Sequence, residues 1–519
     1  MASAGLLKIL HSGLQDERLL PPKGQPKIED FQKVFVKTGR FTTEWYRVDF
    51  DNSPNFGQTA KATLPRRGHL ITRAFLMVTL PDIRTPQLAA QAAAGSNFVG
   101  PTFGWTNSIG HALVSQAQFS IGAAPIDTLD GRLLEVLDEF HTPLEKTTTV
   151  NRMIGRHDNG FTQKSNGWNT QYQELAIPLP FWFARGDPSD AFPIDAIGTD
   201  TVQIGITFAN TNAVHYTDTR ILPNDPSPME SSACPVLPDL AMPTITNSPF
   251  YQLDPSGTPM TGLDGTTTPI TVSDIIGIRM PPNLSFQDAY ILLEYVYLDK
   301  PEANRIRLGD ISYPIVQHYA INPYDTNSNT SSRIRMRIPN PTREFYFFVH
   351  RKDADSLNAP FLATRDISGA GQKAPWWPDA SGLNTKAILP LVPAYSVFDS
   401  EPISGLSLIY EGKFIRYATD SPAFFRSILP SVEQRKTPWH NKYYYHIPFG
   451  TNHEKFGISN PMGHANLDKI QYIDLALNFK PYTGTFLVTN VPDYTVYVWA
   501  ETYNILRVYS GRAGLLFAY

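Results

Sequence analysis

A chain of 519 residues and 58.0 kDa has room for more than one hydrophobic core. A net charge of −4, with 18% charged residues, excludes a generally basic nucleic-acid binder and gives no pull toward anionic membranes. Aromatics at 12%, with 44 prolines and 34 glycines, exclude wholesale disorder and favour β-structure with large buried or partner-facing surfaces.

In chain order, the opening MASAGLLKILHSGLQDERLL has an apolar stretch interrupted by Lys8 and His11. It reads as an amphipathic arm over residues 1–30 rather than a secretory leader. No run approaches the roughly 20 apolar residues of a membrane-spanning helix, so a soluble, non-secreted protein is expected. The single cysteine, Cys234, excludes an intramolecular disulfide and any CxxC metal site, which suits a reducing compartment.

Strand signals then dominate. FTTEWYRVDF, HLITRAFLMVTL, ALVSQAQFSI, TVQIGITFA and AYILLEYVYL are short, β-branched or aromatic, and bounded by turn residues. The best helix is GRLLEVLDEFH, 131–141, with Leu133, Leu134, Val136, Leu137 and Phe140 on one face. Its Glu135, Asp138, Glu139 and His141 are expected on a solvated face, completing the amphipathic pattern. Many short strands with almost no helical period imply a sandwich or barrel.

The pattern occurs twice. Leu64-Pro65 before one strand matches Ile338-Pro339 before another, and the turn at Gly122 matches that at Gly412. Leu179-Pro180-Phe181 matches Ile447-Pro448-Phe449 and Val202-Gln203-Ile204 matches Ile470-Gln471-Tyr472, both at an offset of 268. Glu294 in LLEYVYL matches Glu501 in WAETYNIL at an offset of 207. The drop between these offsets means about 60 extra residues in the first copy, placed in the Thr/Pro/Ser/Asn/Gly-rich stretch 211–286, which reads as a long surface loop. The boundary falls in the charged DKPEANRIRLGD, 299–310.

Candidate chemistry is sparse. His440, His446, His453 and His464 lie close together with Glu454, but no His-x-His followed by an acid is present, so loop or interface histidines are the default over a metal site. SGAGQK at 368–373 lacks phosphate-loop spacing and reads as a flexible loop. TPWHNKYYYH at 437–446 could stack on bases or sugars; aromatic packing at a strand start is preferred. No G-x-S-x-G or H-E-x-x-H occurs, so no catalytic, cofactor or metal residue is assigned. Asn283-Leu-Ser and Asn329-Thr-Ser are N-glycosylation candidates.

Runs across nearly the whole chain resemble the double jelly-roll major capsid proteins of large nucleocytoplasmic DNA viruses, of the iridovirus and phycodnavirus type. They include ATLPRRGHLITRAFLMVTLP, NSIGHALVSQAQFSIGAAPID, AIPLPFWFAR, LEYVYLD and the closing YNILRVYSGRAGLLFAY. Two features depart: His69 stands where the family usually has an acidic residue, and GISNPMGHANLDKIQY follows its family counterpart only loosely. The resemblance implies an all-β fold of two tandem eight-stranded jelly-roll barrels, at 31–300 and 313–519, joined by a linker at 301–312. It further implies homotrimeric, pseudo-hexagonal capsomers tiling an icosahedral virion shell, and no enzyme or cofactor. The implied partners are the chain itself, minor capsid proteins and an inner viral membrane reached by the arm, without direct nucleic-acid contact. Assembly inside the host cell, in its cytoplasm, is the implied setting. The closing segment should form the last strand plus a tail packed within the subunit or on a neighbour. A jelly-roll glycan-binding attachment protein, a minor capsid paralogue and, last, a β-sandwich hydrolase are the alternatives.

Overall fold

The computed structural model describes residues 28–29, 32–33, 40–83, 85, 102–156, 174–186, 188–218, 235–236, 284–352, 359–365, 401–438, 442–451, 463–480 and 491–517. The arm at 1–30 therefore lies outside the described residues, apart from Ile28–Glu29, which pairs with Gln32–Lys33.

Eight strands build the first barrel: β1 (Phe41–Asp49), β2 (Thr59–Thr63), β3 (Leu70–Thr79), β4 (Val114–Ile121), β5 (Ala124–Leu129), β6 (Glu174–Pro178), β7 (Val202–Phe208) and β8 (Asp288–Leu298). They form two four-stranded antiparallel sheets, in the orders β1-β8-β3-β6 and β2-β7-β4-β5. Alternation sets the sheet faces: in β7, Val202, Ile204, Ile206 and Phe208 point to the core, and the residues between them do not. The PLPFWF run closes the barrel end, where Trp182 and Phe183 both pack on Phe119 with ring centroids at 5.2 Å. Such aromatic pairs add about 0.5–1.5 kcal/mol each beyond area burial.

The second barrel repeats the arrangement with β9 (Ile311–Asp325), β10 (Ser331–Met336), β11 (Pro341–Arg351), β12 (Ile403–Tyr410), β13 (Phe414–Thr419), β14 (Tyr444–Pro448), β15 (Ile473–Phe479) and β16 (Tyr494–Tyr509). Its sheets run β9-β16-β11-β14 and β10-β15-β12-β13, so each strand sits where the one eight labels earlier sits in the first barrel. Gly122 and Gly412 occupy matching left-handed positions, φ +60° and +71°, in the β4–β5 and β12–β13 turns. One expected match is displaced: Ile470-Gln471-Tyr472 precedes β15, whereas Val202-Gln203-Ile204 begins β7.

The helices are α1 (Ile109–Leu113), α2 (Gly131–His141), α3 (Thr147–Ile154) and α4 (Lys300–Leu308). The last lies across the expected boundary, capped by Asp299. The stretch 211–286 is not loop throughout. A helical turn at Thr211–Val214 leads into His215–Asp218, which pairs with Thr102–Trp105 and with Pro235–Val236. At its end Phe286 packs on Phe56 and Phe208, at 4.3 and 4.9 Å.

The chain's end is a hairpin. β16 turns through Ser510 and Gly511, φ +49° and +76°, into β17 (Arg512–Leu515). Two successive left-handed residues are what a tight type I′ turn requires. A side chain at 511 would also crowd the Gly198 nitrogen at 3.2 Å, because Thr199 N–H donates to the Gly511 carbonyl from the first barrel. Asn504 holds the tail by donating to the Phe517 carbonyl at 2.9 Å. Leu516 and Phe517 nonetheless remain 52% and 43% exposed, so packing within the subunit covers the terminal apolar residues only in part.

Candidate functional site: a buried seam between the two barrels

Helix α2 is the centre of the seam. Asp130 caps it, accepting Leu133 N–H at 2.8 Å on one oxygen, while the other accepts the Trp499 indole N–H of the second barrel at 2.7 Å. Leu133, Leu134, Val136 and Leu137 are buried core residues, and Phe140 is buried against Tyr346 and His446 of the second barrel. The acidic residues behave otherwise than expected: Glu135 and Glu139 are fully buried. Amphipathicity showed which side of the helix faces its own barrel, but the outer face of the β9-β16-β11-β14 sheet lies across the other side. His141 meets that sheet too, with its Nε2 3.0 Å from the Tyr346 hydroxyl.

Burial of these carboxylates is tolerable because cations meet them. Arg156, after α3, reaches Glu135 at 2.6 Å, Glu139 at 3.4 Å and also Asp138. Lys436 bonds Glu139 at 3.2 Å, Lys442 bonds Glu135, and His111 Nδ1 lies 2.7 Å from Glu135. Burial pushes the Glu135 carboxyl up, but Arg156, Lys442 and His111 together outweigh it and hold it well below the usual range.

A second cluster lies where β9, β11 and β16 meet. Glu501 and Glu344 are cross-strand neighbours in register, and both are fully buried. Arg185 of the first barrel bonds Glu501 and approaches His318 Nε2 at 2.8 Å. His318 Nδ1 in turn lies 3.1 Å from Asp127 of β5. Arg343 stands 3.8 Å from Glu501, and His446 Nε2 2.6 Å from Glu344. Burial pushes the Glu501 carboxyl up to about 7, against the pull of Arg185 and Arg343. Glu344 is pushed up by burial but brought well below the usual range by Arg343 and His446. Burial and the like charge of Glu344 thus favour the protonated form of Glu501, while its cationic neighbours favour the ionised form of Glu344.

Of the histidine group only His446 and His464 are among the described residues. His446 is buried against Glu344, His464 is exposed near Tyr503, and His440, His453 and Glu454 lie outside the described residues. Among the described residues no three His, Cys, Asp or Glu side chains form a metal-sized group. Tyr443, Tyr444 and Tyr445 are core residues leading into β14, as the packing interpretation expects. Residues 368–373 and Asn283 lie outside the described residues; Asn329 is exposed beside the turn at Asn327 and Ser328. His69, at the departure from the family pattern, accepts Leu298 N–H at 2.9 Å and ties the β2–β3 connection to the end of β8. Arg156, Arg185, Arg343, Lys436 and Lys442 carried no functional expectation. Their one sequence signal was Arg343-Glu344 set directly before the apolar run 345–349 of strand β11.

The geometry of the described residues is that of two like barrels joined by a desolvated polar seam. Comparison with known proteins agrees. Residues 30–239 match the family described as major capsid protein N-terminus, and residues 309–514 match that described as large eukaryotic DNA virus major capsid protein. The chain belongs to the major capsid protein family of large eukaryotic DNA viruses. It is 21% identical to the major capsid protein of Frog virus 3 (isolate Goorha), over 93% of each chain. It is 30% identical to capsid protein 1 of Acanthamoeba polyphaga mimivirus over 40% of this chain, a match spanning about a third (34%) of that protein's length. Among solved structures it resembles the PBCV-1 virus capsid, with TM-score 0.64 and 17% identity, over 94% of this chain and all of the other. The Faustovirus major capsid protein shares the fold at TM-score 0.56 and 11% identity, over 97% and 94% of the two chains. This family is structural rather than enzymatic, and its place is the shell of the virion.

Proposed function

We propose that three copies of the chain close into a capsomer of pseudo-hexagonal outline, and that capsomers tile an icosahedral shell. One observation supports this most: two barrels of identical strand order are fixed to each other by a buried seam. Each chain then offers two similar corners, and a three-fold ring offers six, which suits a hexagonal lattice. In this reading the barrels span 31–300 and 313–519 with a linker at 301–312. The arm at 1–30 turns inward toward minor capsid proteins or an inner membrane, and Asn283 and the exposed Asn329 are glycan acceptors.

Light scattering behind size exclusion, across a dilution series, tests the assembly. A persistent species near three times 58.0 kDa is expected. A stable, folded monomer at all concentrations overturns the reading.

A further inference from the structure

β2 and β10 hold the same place, each at an edge of its sheet, but only one of those edges is closed. Leu64 N–H donates to the Val202 carbonyl, and Phe479 N–H to the Thr330 carbonyl, each at 2.9 Å. Alternate residues of an antiparallel strand bond a given neighbour. Thr59, Lys61 and Thr63 therefore turn their backbone groups away from β7, and Ser331, Arg333 and Arg335 turn theirs away from β15.

In the first barrel the β1–β2 connection covers that outer edge. Asp51 N–H donates to the Lys61 carbonyl at 2.7 Å, and Lys61 N–H donates to the Asn52 side-chain oxygen at 2.9 Å. The Asn52 amide donates to the Thr59 carbonyl, and the Thr63 hydroxyl to the Asp51 carboxylate, both at 2.7 Å. In the second barrel the corresponding connection, 326–330, bonds elsewhere. Thr326 N–H donates to the Tyr494 carbonyl, and Asn329 N–H to the Thr326 carbonyl. Among the described residues nothing bonds the outward backbone groups of Ser331, Arg333 and Arg335.

The side chains on the open edge are basic. By the match of Leu64-Pro65 with Ile338-Pro339, Arg333, Arg335 and Arg337 stand where Thr59, Lys61 and Thr63 stand, and all three are exposed. Fully buried Asp474 faces Arg335 in register, accepts from its Nε at 3.2 Å, and lies 3.0 Å from the Nε of Arg333. The Arg335 guanidinium also lies 4.3 Å from the centre of the Tyr472 ring. Charge on an edge strand is enough to keep unrelated strands away. Repulsion does not need two guanidinium groups anchored by one buried carboxylate, whereas recognition of a ligand does, because anchoring lowers the entropy lost on binding.

We infer that β10 is a docking strand for an extended acidic segment of another protein, which adds to the sheet beside β10 and sets its carboxylates against Arg333, Arg335 and Arg337. The first barrel supplies the template, because there an Asp-Asn segment closes the same edge. Charge selects the occupant: three arginines facing the one carboxylate of Asp474 leave a positive row. The inference goes beyond the capsomer reading and does not depend on it.

Fluorescence anisotropy tests it, using full-length protein and a labelled peptide of alternating Asp and Thr, which puts every carboxylate on one face of a strand. Two control peptides carry the same charge: one has its Asp and Thr in blocks, and the other has N-methylated amides that cannot donate to β10. The alternating peptide should bind, and each control should bind about tenfold more weakly. Arg337→Glu leaves the Asp474 pairs alone and should weaken binding about tenfold. Ser331→Pro removes an outward N–H without touching the ladder to β15, and should weaken binding with every arginine intact. Equal binding of all three peptides would mean that charge alone attracts them, and strand addition would be wrong. No anisotropy change up to about 1 mM peptide overturns the site. If no peptide binds but Arg337→Glu changes the mass seen by light scattering, a second copy of this chain covers β10 and the acidic partner is ruled out.

Discussion

Glu294 and Glu501 occupy the same place in the two barrels, yet they do different chemistry. Opposite Glu294 in register is Arg73, 3.6 Å away and half exposed, and Thr72 donates to the carboxylate at 2.8 Å. Opposite Glu501 is another carboxylate, Glu344, and no water reaches either. The first barrel meets the position with an opposite charge near solvent. The second meets it with a like charge and with arginines from both barrels. The same fold position becomes an ordinary ion pair or a protonated seam residue according to what packs over the sheet.

The comparison is broken most severely by stripping the seam of a cation. Arg156→Ala leaves Glu135, Asp138 and Glu139 short of their common partner, and an unpaired buried carboxylate is costly. We expect a loss of about 3–5 kcal/mol, read by denaturant unfolding at fixed protein concentration. A loss below about 1 kcal/mol would mean that water enters the seam and that its charges behave as surface charges.

Next is the proton. Burial pushes the folded Glu501 carboxyl up to about 7, above the ordinary 4.5 of a glutamate. The folded chain therefore binds a proton more tightly than the unfolded chain does. The associated stabilisation is present below pH 4.5 and is lost as pH rises through about 7. Glu344 acts in the opposite sense: its stabilisation is present above 4.5 and lost at lower pH. Glu501→Gln mimics the protonated acid, so the variant should gain on the parent protein as pH rises from 5 to 8. Glu294→Gln should track the parent throughout. Parallel thermal-unfolding profiles for the Glu501 variant and parent would show that Glu501 does not titrate in this range.

These contrasts mark how far the sequence could be read. The repeat was legible from five motif matches, the turn glycine among them, because those signals are local; one of the five, Val202 with Ile470, falls out of place. The helix at 131–141 was legible for the same reason. What covers its acidic side was not, since Lys442 and Tyr346 come from hundreds of residues away and carry no periodic mark. Arg343 and Glu344 directly before the apolar run of β11 were the one visible warning, because charges there need partners from outside the strand. The terminal hairpin likewise reads as a turn from Ser510-Gly511, but its hold on Thr199 and Asp200 of the first barrel appears only in three dimensions.

Asp130 tests the join between helix and seam at lower cost. Asp130→Ala removes the cap of α2 and the acceptor of Trp499 together, for an expected loss of about 1–2 kcal/mol. Asp130→Asn should recover part of this, because its amide oxygen can accept one of the two bonds.

The smallest effect is expected on the outer face of β1-β8-β3-β6, where Arg47 reaches Asp288 at 2.8 Å and Asp49 at 2.6 Å and lies over the Tyr290 ring. Its side chain is 47% exposed, so solvent screens both pairs and the guanidinium is not needed to neutralise anything buried. In a single chain Arg47→Ala should cost less than about 1 kcal/mol. Arg47 nevertheless stands on a sheet face with the partly open Trp45, Phe75 and Tyr290. If that face is covered in the capsomer, the same substitution should weaken association more than folding, so dilution should release monomer sooner than in the parent protein while the unfolding midpoint of the released monomer stays unchanged. Equal dissociation of variant and parent would mean that water, rather than a neighbouring chain, covers Arg47.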